Sequence, residues 1–207
     1  DRRVQTGEYR LEGANGRVQS AQFIRCITFA WDTLSFCVFV FGIIREKPAM
    51  ELQNKTAFIT GGASGLGLAT AKKFVAAGAN VMLYDLNGEM LQQVAAEIGQ
   101  KAAWHAGDVA DERAVGEAIA VAREKFGTIH INVNCAGIGG AARTVGKNGP
   151  MPLEKFEHIV RVNLIGTFNV LRLCAEVMQV NEPTTEDGER GVIINVASIA
   201  AFDGQTG

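Results

Sequence analysis

The stretch TAFITGGASGLGLATAKKFVAAGANVMLYD, residues 56–85, decides the fold. Its first five residues, Thr56–Thr60, are a short apolar run of strand type closed by Gly61. Residues 66–77 carry apolar side chains at helical spacing and stop at Gly78, a residue suited to a helix C-terminus. Residues 81–84 (VMLY) read as a strand again.

The turn between the first strand and the helix, residues 60–67 (TGGASGLG), is rich in glycine. Gly61 permits a tight exit from the strand, Gly65 leaves room for backbone to approach a pyrophosphate, and Gly67 lets the helix pack close to the sheet. The N–H groups and dipole of the helix that follows favour phosphate charge. The spacing Gly-xxx-Gly-x-Gly departs from GxGxxG, and the absence of Gly-Lys-Ser/Thr in the turn separates it from a P-loop. Asp85 ends the second strand about twenty residues beyond the glycines, where a carboxylate can accept hydrogen bonds from a ribose 2′-OH. The same carboxylate repels a 2′-phosphate, and Leu86 follows it in place of a cation, so the pattern points to NAD rather than NADP. The competing reading of Asp85 is a turn or helix cap within Asp-Leu-Asn-Gly.

Outward from this stretch, strands and helices keep alternating. Met90, Leu91, Val94, Ala95 and Ile98 recur at helical period before Gly99, and residues 102–105 form a weaker strand. Val115, Ile119, Ala122 and Phe126 mark a helix ended by Gly127, and residues 129–134 a fourth strand. Residues 139–150 (GGAARTVGKNGP) read as a loop, residues 153–178 as one long amphipathic run, and 192–196 (VIINV) as a central parallel strand covered on both faces. This alternation predicts an α/β fold, a Rossmann-type doubly wound parallel sheet of strand order 3-2-1-4-5. Residues 50–207 are expected to form that domain and residues 1–49 a non-globular N-terminal extension outside it.

The extension contains an apolar run, but its uninterrupted part, residues 34–44, is about eleven residues where a membrane-spanning helix needs roughly twenty, and Asp32 falls inside any longer window. A formal charge of −2 argues against bulk attraction to nucleic acid or an anionic membrane. Cys26, Cys37, Cys135 and Cys174 are scattered without a CxxC pair, so they read as reduced thiols, and no metal site is expected. His105, His130 and His158 are isolated and are assigned no catalytic role.

From Met50 onward the order of motifs resembles the short-chain dehydrogenase/reductase family: the 60–67 turn, Asp85, Asp108, Asn134-Cys135-Ala136-Gly137, Asn163 and Ser198. The resemblance implies that Gly61, Ser64, Gly65, Leu66 and Gly67 meet the pyrophosphate of NAD and Asp85 the adenine ribose. Asp108 would bond the adenine amino group with Val109 packed beside it, while Cys135, Ala136 and Gly137 line the floor under the cofactor. Asn163 would hold a water linked to bulk proton donors, Ser198 would stabilise charge on the substrate oxygen, and Gln205 would touch the substrate. It further implies hydride transfer between NAD and a secondary alcohol or ketone, closest to the branch acting on 3-hydroxyacyl-CoA. The partner is then a small molecule, acyl-CoA or steroid-like, with no nucleic acid and no membrane, and the whole protein a homo-oligomer, a tetramer. The compartment would be cytoplasmic, or the mitochondrial matrix.

The family's Tyr-xxx-Lys pair has no counterpart here, since Tyr9 and Tyr84 are the two tyrosines and neither is suitably placed. The expectation is a C-terminally truncated enzyme, inactive as it stands, with the pair beyond Gly207 and VIINV left as an exposed, aggregation-prone edge. The alternatives are a 3-oxoacyl thioester reductase using NADPH, weakened by Asp85, a non-catalytic nucleotide-binding module, and a reading in which the extension is a membrane anchor.

Overall fold

The computed structural model describes residues 5–10, 23–31, 34–42, 50–140, 142–185, 188–198, 200 and 204. The chain divides into two units, residues 51–193 and residues 1–50 together with 194–206.

The larger unit carries the alternation expected from sequence. Strand β4 (Thr56–Thr60) leads through the glycine turn into α1 (Gly65–Ala76), then β5 (Asn80–Asp85), α2 (Gly88–Ile98) and β6 (Ala102–Ala106). Helix α3 (Glu112–Phe126) returns the chain to β7 (Ile131–Asn134). β5 and β7 pair in parallel with β4 on either side, and β6 pairs in parallel with β5. The strand β10 (Val192–Ser198) enters beside β7, where the Val192 N–H donates to the His130 carbonyl at 2.9 Å. The parallel order is therefore β6-β5-β4-β7-β10, which counted from β4 is 3-2-1-4-5.

Every residue of β4 is buried, because helices cover both of its faces. Phe58, Met82 and Tyr84 join Val115, Ile119, Val170, Cys174 and Met178 in one core cluster on the α3 side. The alternate residues Ile59, Val81 and Leu83, equally buried, turn to the opposite side. A central strand of this kind has no polar face, which is why TAFIT and VMLY read as unbroken apolar runs.

Three details differ from the sequence expectation. The run at 153–178 is not one continuous α-helix: α4 (Leu153–Val160) and α5 (Thr167–Met178) are joined by a π-helical turn at Arg161–Gly166. Gly166 is buried there, and a Cβ on it would overlap the Val109 side chain, so the turn is pressed against Val109. The 139–150 loop contains a minimal hairpin, β8 (Val145–Gly146) with β9 (Gly149–Pro150). Residues 192–194 are half-buried rather than covered on both faces, with Ile193 reaching the core cluster.

In the smaller unit, β1 (Gln5–Arg10), β2 (Phe23–Trp31) and β3 (Leu34–Gly42) form an antiparallel meander. β3 pairs antiparallel with residues 196–198, which belong to the same unit. The apolar run of the extension is strand, and among the described residues no helix is long and apolar enough to cross a membrane.

Candidate functional site

The turn after β4 depends on glycine at three positions for three reasons. Gly61 has φ +66°, and a Cβ on it would stand 3.0 Å from the Ala136 amide nitrogen. A Cβ on Gly67 would overlap the Gly61 carbonyl oxygen, so the first turn of α1 lies directly on the strand exit. Gly65 has φ +53°, yet a Cβ there would meet nothing within 4 Å, so it borders open space. Ser64 is the N-cap of α1 in extended conformation (φ −156°), its side chain makes no capping bond, and the first turn holds no acid. The next two helices are closed: Asn87 accepts from the Met90 N–H on α2, and Asp111 accepts from Arg113 and Ala114 on α3. Of the three, α1 alone presents its N-terminal N–H groups and positive dipole end without a side-chain acceptor, beside exposed Ser64 and Gly65 and half-buried Leu66.

Asp85 stands across from that terminus. Its Oδ2 accepts the Ala63 N–H at 3.2 Å and its Oδ1 the Asn87 N–H at 3.1 Å. Turn cap and ligand acceptor, treated from sequence as competing readings, are compatible in this geometry, because a carboxylate has about four lone-pair sites and two N–H groups use only part of them.

Asp108 follows β6. Its Oδ1 accepts the Ala110 N–H at 2.9 Å, and its Oδ2 lies 3.7 Å from the Arg161 guanidinium. Val109 is buried, and its carbonyl accepts from the Asn169 side chain at 2.9 Å. Beyond β7, the Cys135 and Ala136 N–H groups both donate to the Thr60 hydroxyl, at 3.1 and 3.0 Å, which ties this segment to the glycine turn. Burial pushes the Cys135 thiol up to about 11, so it stays neutral and serves as a small packing group.

Gly137 is exposed, and the next residue, Ile138, is gripped from both sides by Asn163. The Asn163 Oδ1 accepts the Ile138 N–H at 2.8 Å, and its Nδ2 donates to the Ile138 carbonyl at 2.9 Å. Asn163 lies within the π-helical turn, and its own carbonyl accepts the Thr167 hydroxyl at 2.8 Å. One amide N–H and one carbonyl lone pair of its side chain remain for another partner.

Hydrogen bonds and packing thus gather Gly61, Ser64, Gly65, Leu66, Gly67, Asp85, Asp108, Val109, Cys135, Ala136, Gly137 and Asn163 at the C-terminal ends of β4 to β7. Ligands of open α/β sheets bind at that edge. Ser198 belongs to the other unit, where its hydroxyl accepts the Ala200 N–H at 3.2 Å. Gln205 lies outside the described residues.

The tie made by Thr60 was not singled out from sequence, because a hydroxyl at the end of an apolar strand gives no periodic signal. Asn132 was equally silent, and Asn134 was read only as the start of the Asn134-Cys135-Ala136-Gly137 motif. Buried side by side on β7, they bond each other, with the Asn134 Nδ2 donating to the Asn132 Oδ1 at 2.8 Å, and Asn132 also reaches the Phe58 carbonyl at 3.3 Å. Two Asn at i and i+2 in an apolar strand were the available clue.

The family described as short chain dehydrogenase matches residues 55–207. The chain belongs to this family. Among curated short-chain dehydrogenases, it is 50% identical over 159 residues to the 3-hydroxyacyl-CoA dehydrogenase type-2 of Bos taurus, covering 76% of this chain and 60% of that one. The protein of the same name from Drosophila melanogaster is 46% identical over 158 residues, 75% of this chain and 62% of that one. The chain thus spans about three fifths of the length of these relatives. The crystal structure of 3-hydroxyacyl-CoA dehydrogenase type-2 from Mycobacterium avium matches with a TM-score of 0.71 at 34% identity, covering 77% of this chain and 63% of that one. A 3-ketoacyl-(acyl-carrier-protein) reductase from Brucella melitensis, solved with NADH, matches with a TM-score of 0.67 at 36% identity, covering 75% of this chain and 62% of that one.

Proposed function

We propose that residues 50–207 are the dinucleotide-binding part of an NAD-dependent oxidoreductase that moves hydride between NAD and a secondary alcohol or ketone, with 3-hydroxyacyl-CoA as the substrate class. The observation that carries this reading is the α1 N-terminus, open at Gly65 and without a side-chain cap, facing Asp85 across the turn. A pyrophosphate meets free N–H groups there, and a ribose diol meets the remaining acceptors of Asp85. Asp85 followed by exposed Leu86 opposes a 2′-phosphate by charge and offers it no cation, which supports NAD over NADP. When bound, the nicotinamide supplies the hydride chemistry. In this chain Asp108 and Val109 hold the adenine end, Cys135 to Gly137 form the floor, Asn163 fixes the floor's outer end and orders a water, and Ser198 steadies the substrate oxygen. The acyl-CoA substrate class rests on the three relatives named 3-hydroxyacyl-CoA dehydrogenase type-2. The match to a 3-ketoacyl-(acyl-carrier-protein) reductase supports a second reading, the same chemistry run as ketone reduction on a carrier-bound thioester.

Leu153, Phe156, Leu164, Ile165 and Phe168 are exposed along α4, the π-helical turn and α5. An apolar face of this extent fits a second copy of the chain, so the protein is proposed to be a homo-oligomer. Its compartment is proposed as the cytoplasm or the mitochondrial matrix. Fluorescence titration with NADH and NADPH tests the central claim. Tighter NADH binding supports it; no binding, or tighter NADPH binding, defeats it.

A further inference from the structure

Tyr84 ends the buried run of β5 one residue before Asp85, and it is fully buried. Its ring lies between Phe58, tilted at 5.8 Å between centroids, and His105, stacked at 6.2 Å. Core packing would be served as well by Phe, so the hydroxyl needs its own account. It donates to the Asp108 carbonyl at 2.9 Å, an oxygen that also accepts the Asp111 N–H at 3.0 Å. A Cβ on Gly107 would overlap the Tyr84 hydroxyl, so this glycine leaves the space in which the phenol reaches Asp108. One residue further along β5, the Asp85 carbonyl accepts the Gly107 N–H at 2.9 Å. Two hydrogen bonds therefore lock the end of β5 to the loop after β6, and these two segments carry Asp85 and Asp108.

We propose that Tyr84 is a positioning residue for the adenosine end of the cofactor, holding Asp108 in register with Asp85 through its hydroxyl bond to the Asp108 carbonyl. The inference rests on the dinucleotide reading above. It adds a residue that touches no ligand and sets the spacing between the two acids that do. Removing the hydroxyl leaves the ring and frees the 107–109 loop to shift. The loss then falls on the adenosine half of the ligand and leaves the pyrophosphate turn unchanged.

The test uses the full chain, calorimetric titration, and two probes: NADH, and ADP-ribose, which lacks the nicotinamide ring. Tyr84→Phe is expected to weaken both by the same factor, roughly two- to tenfold, the worth of one hydrogen bond. Asp108→Ala supplies the readout that a merely structural role would not move. If Tyr84 acts through Asp108, adding Tyr84→Phe to Asp108→Ala weakens binding no further. Gly107→Ala, which crowds the hydroxyl while leaving the phenol in place, should reproduce the Tyr84→Phe loss. The proposal is overturned if Tyr84→Phe binds ADP-ribose as the parent does, or if its effect adds in full to that of Asp108→Ala. Failure of the parent chain to bind either probe removes the dinucleotide reading itself, and the positioning role with it.

Discussion

Three glycines in one turn carry three different burdens, and single substitutions separate them. Gly67→Ala forces a Cβ onto the Gly61 carbonyl, so it should destabilise the fold by about 1–3 kcal/mol in urea titration, as overpacking does. Gly65→Ala meets no atom and bears only the left-handed conformation, about 1–2 kcal/mol, but its methyl group stands in the open space at the helix terminus. It should therefore lose NADH affinity by more than its stability change explains, and equal NADH affinity in Gly65→Ala and parent would place the pyrophosphate elsewhere. Asp85 has two roles that a substitution removes together. Asp85→Ser should move the ratio of NADH to NADPH affinity toward NADPH by tenfold or more, since about 1.4 kcal/mol of relieved repulsion suffices. It should also lower stability, because the Ala63 and Asn87 N–H groups lose their acceptors. A stability loss without any change in the cofactor ratio would reduce Asp85 to a turn cap.

At the scale of elements, the opposite edge of the sheet holds a pH-sensitive joint. The His130 Nδ1 accepts the Thr56 N–H at 3.1 Å, while the His130 N–H donates to the Thr56 carbonyl at 2.9 Å, closing the starts of β4 and β7 on each other. Burial, with a smaller contribution from the Lys55 charge, lowers the imidazole pKa below its ordinary value. The folded state thus favours neutral His130, and between the depressed value and about 6.5 the unfolded chain binds more protons. The joint's stability is present in full above about pH 6.5 and is lost as pH falls through the folded pKa. His130→Gln keeps an acceptor without a titration, so its urea midpoint should fall less than the parent's between pH 7.5 and 5; parallel curves would remove the joint. This joint was invisible in the sequence, where His130 is one isolated histidine, because its meaning comes from pairing with a residue 74 positions away. The parallel strands and the glycine turn were legible because apolar runs and glycine spacing are local signals. The π-helical turn was not: residues 153–178 keep helical periodicity through it, and only the tertiary contact of Gly166 with Val109 shows where the register shifts.

For the molecule as a whole, the dinucleotide reading makes folding and binding one equilibrium, since every cofactor contact assigned here lies in the unit of residues 51–193. A ligand that binds only the folded form adds about 2.7 kcal/mol of stability at a hundred times its Kd. For a chain of this size, each kcal/mol raises the melting temperature by about 2–4 °C, so saturating NADH should raise it by roughly 5–11 °C. Two thiols report the same linkage from inside that unit. Cys174 is buried in the core, and Cys135 lies at the floor of the site, tied to Thr60 through its own N–H. Burial raises the pKa of both, so alkylation of the folded chain should wait for an opening event. NADH at a hundred times its Kd should slow labelling of Cys174, followed by peptide mass, about a hundredfold if that event is global unfolding. Cys135 should be protected at least as well, because its opening also exposes the cofactor floor. NADPH at the same concentration should give a smaller shift and weaker protection. Equal effects of the two nucleotides would set aside the role given to Asp85. Protection of Cys135 without any of Cys174 would show that the cofactor closes the site locally and leaves the core's stability untouched.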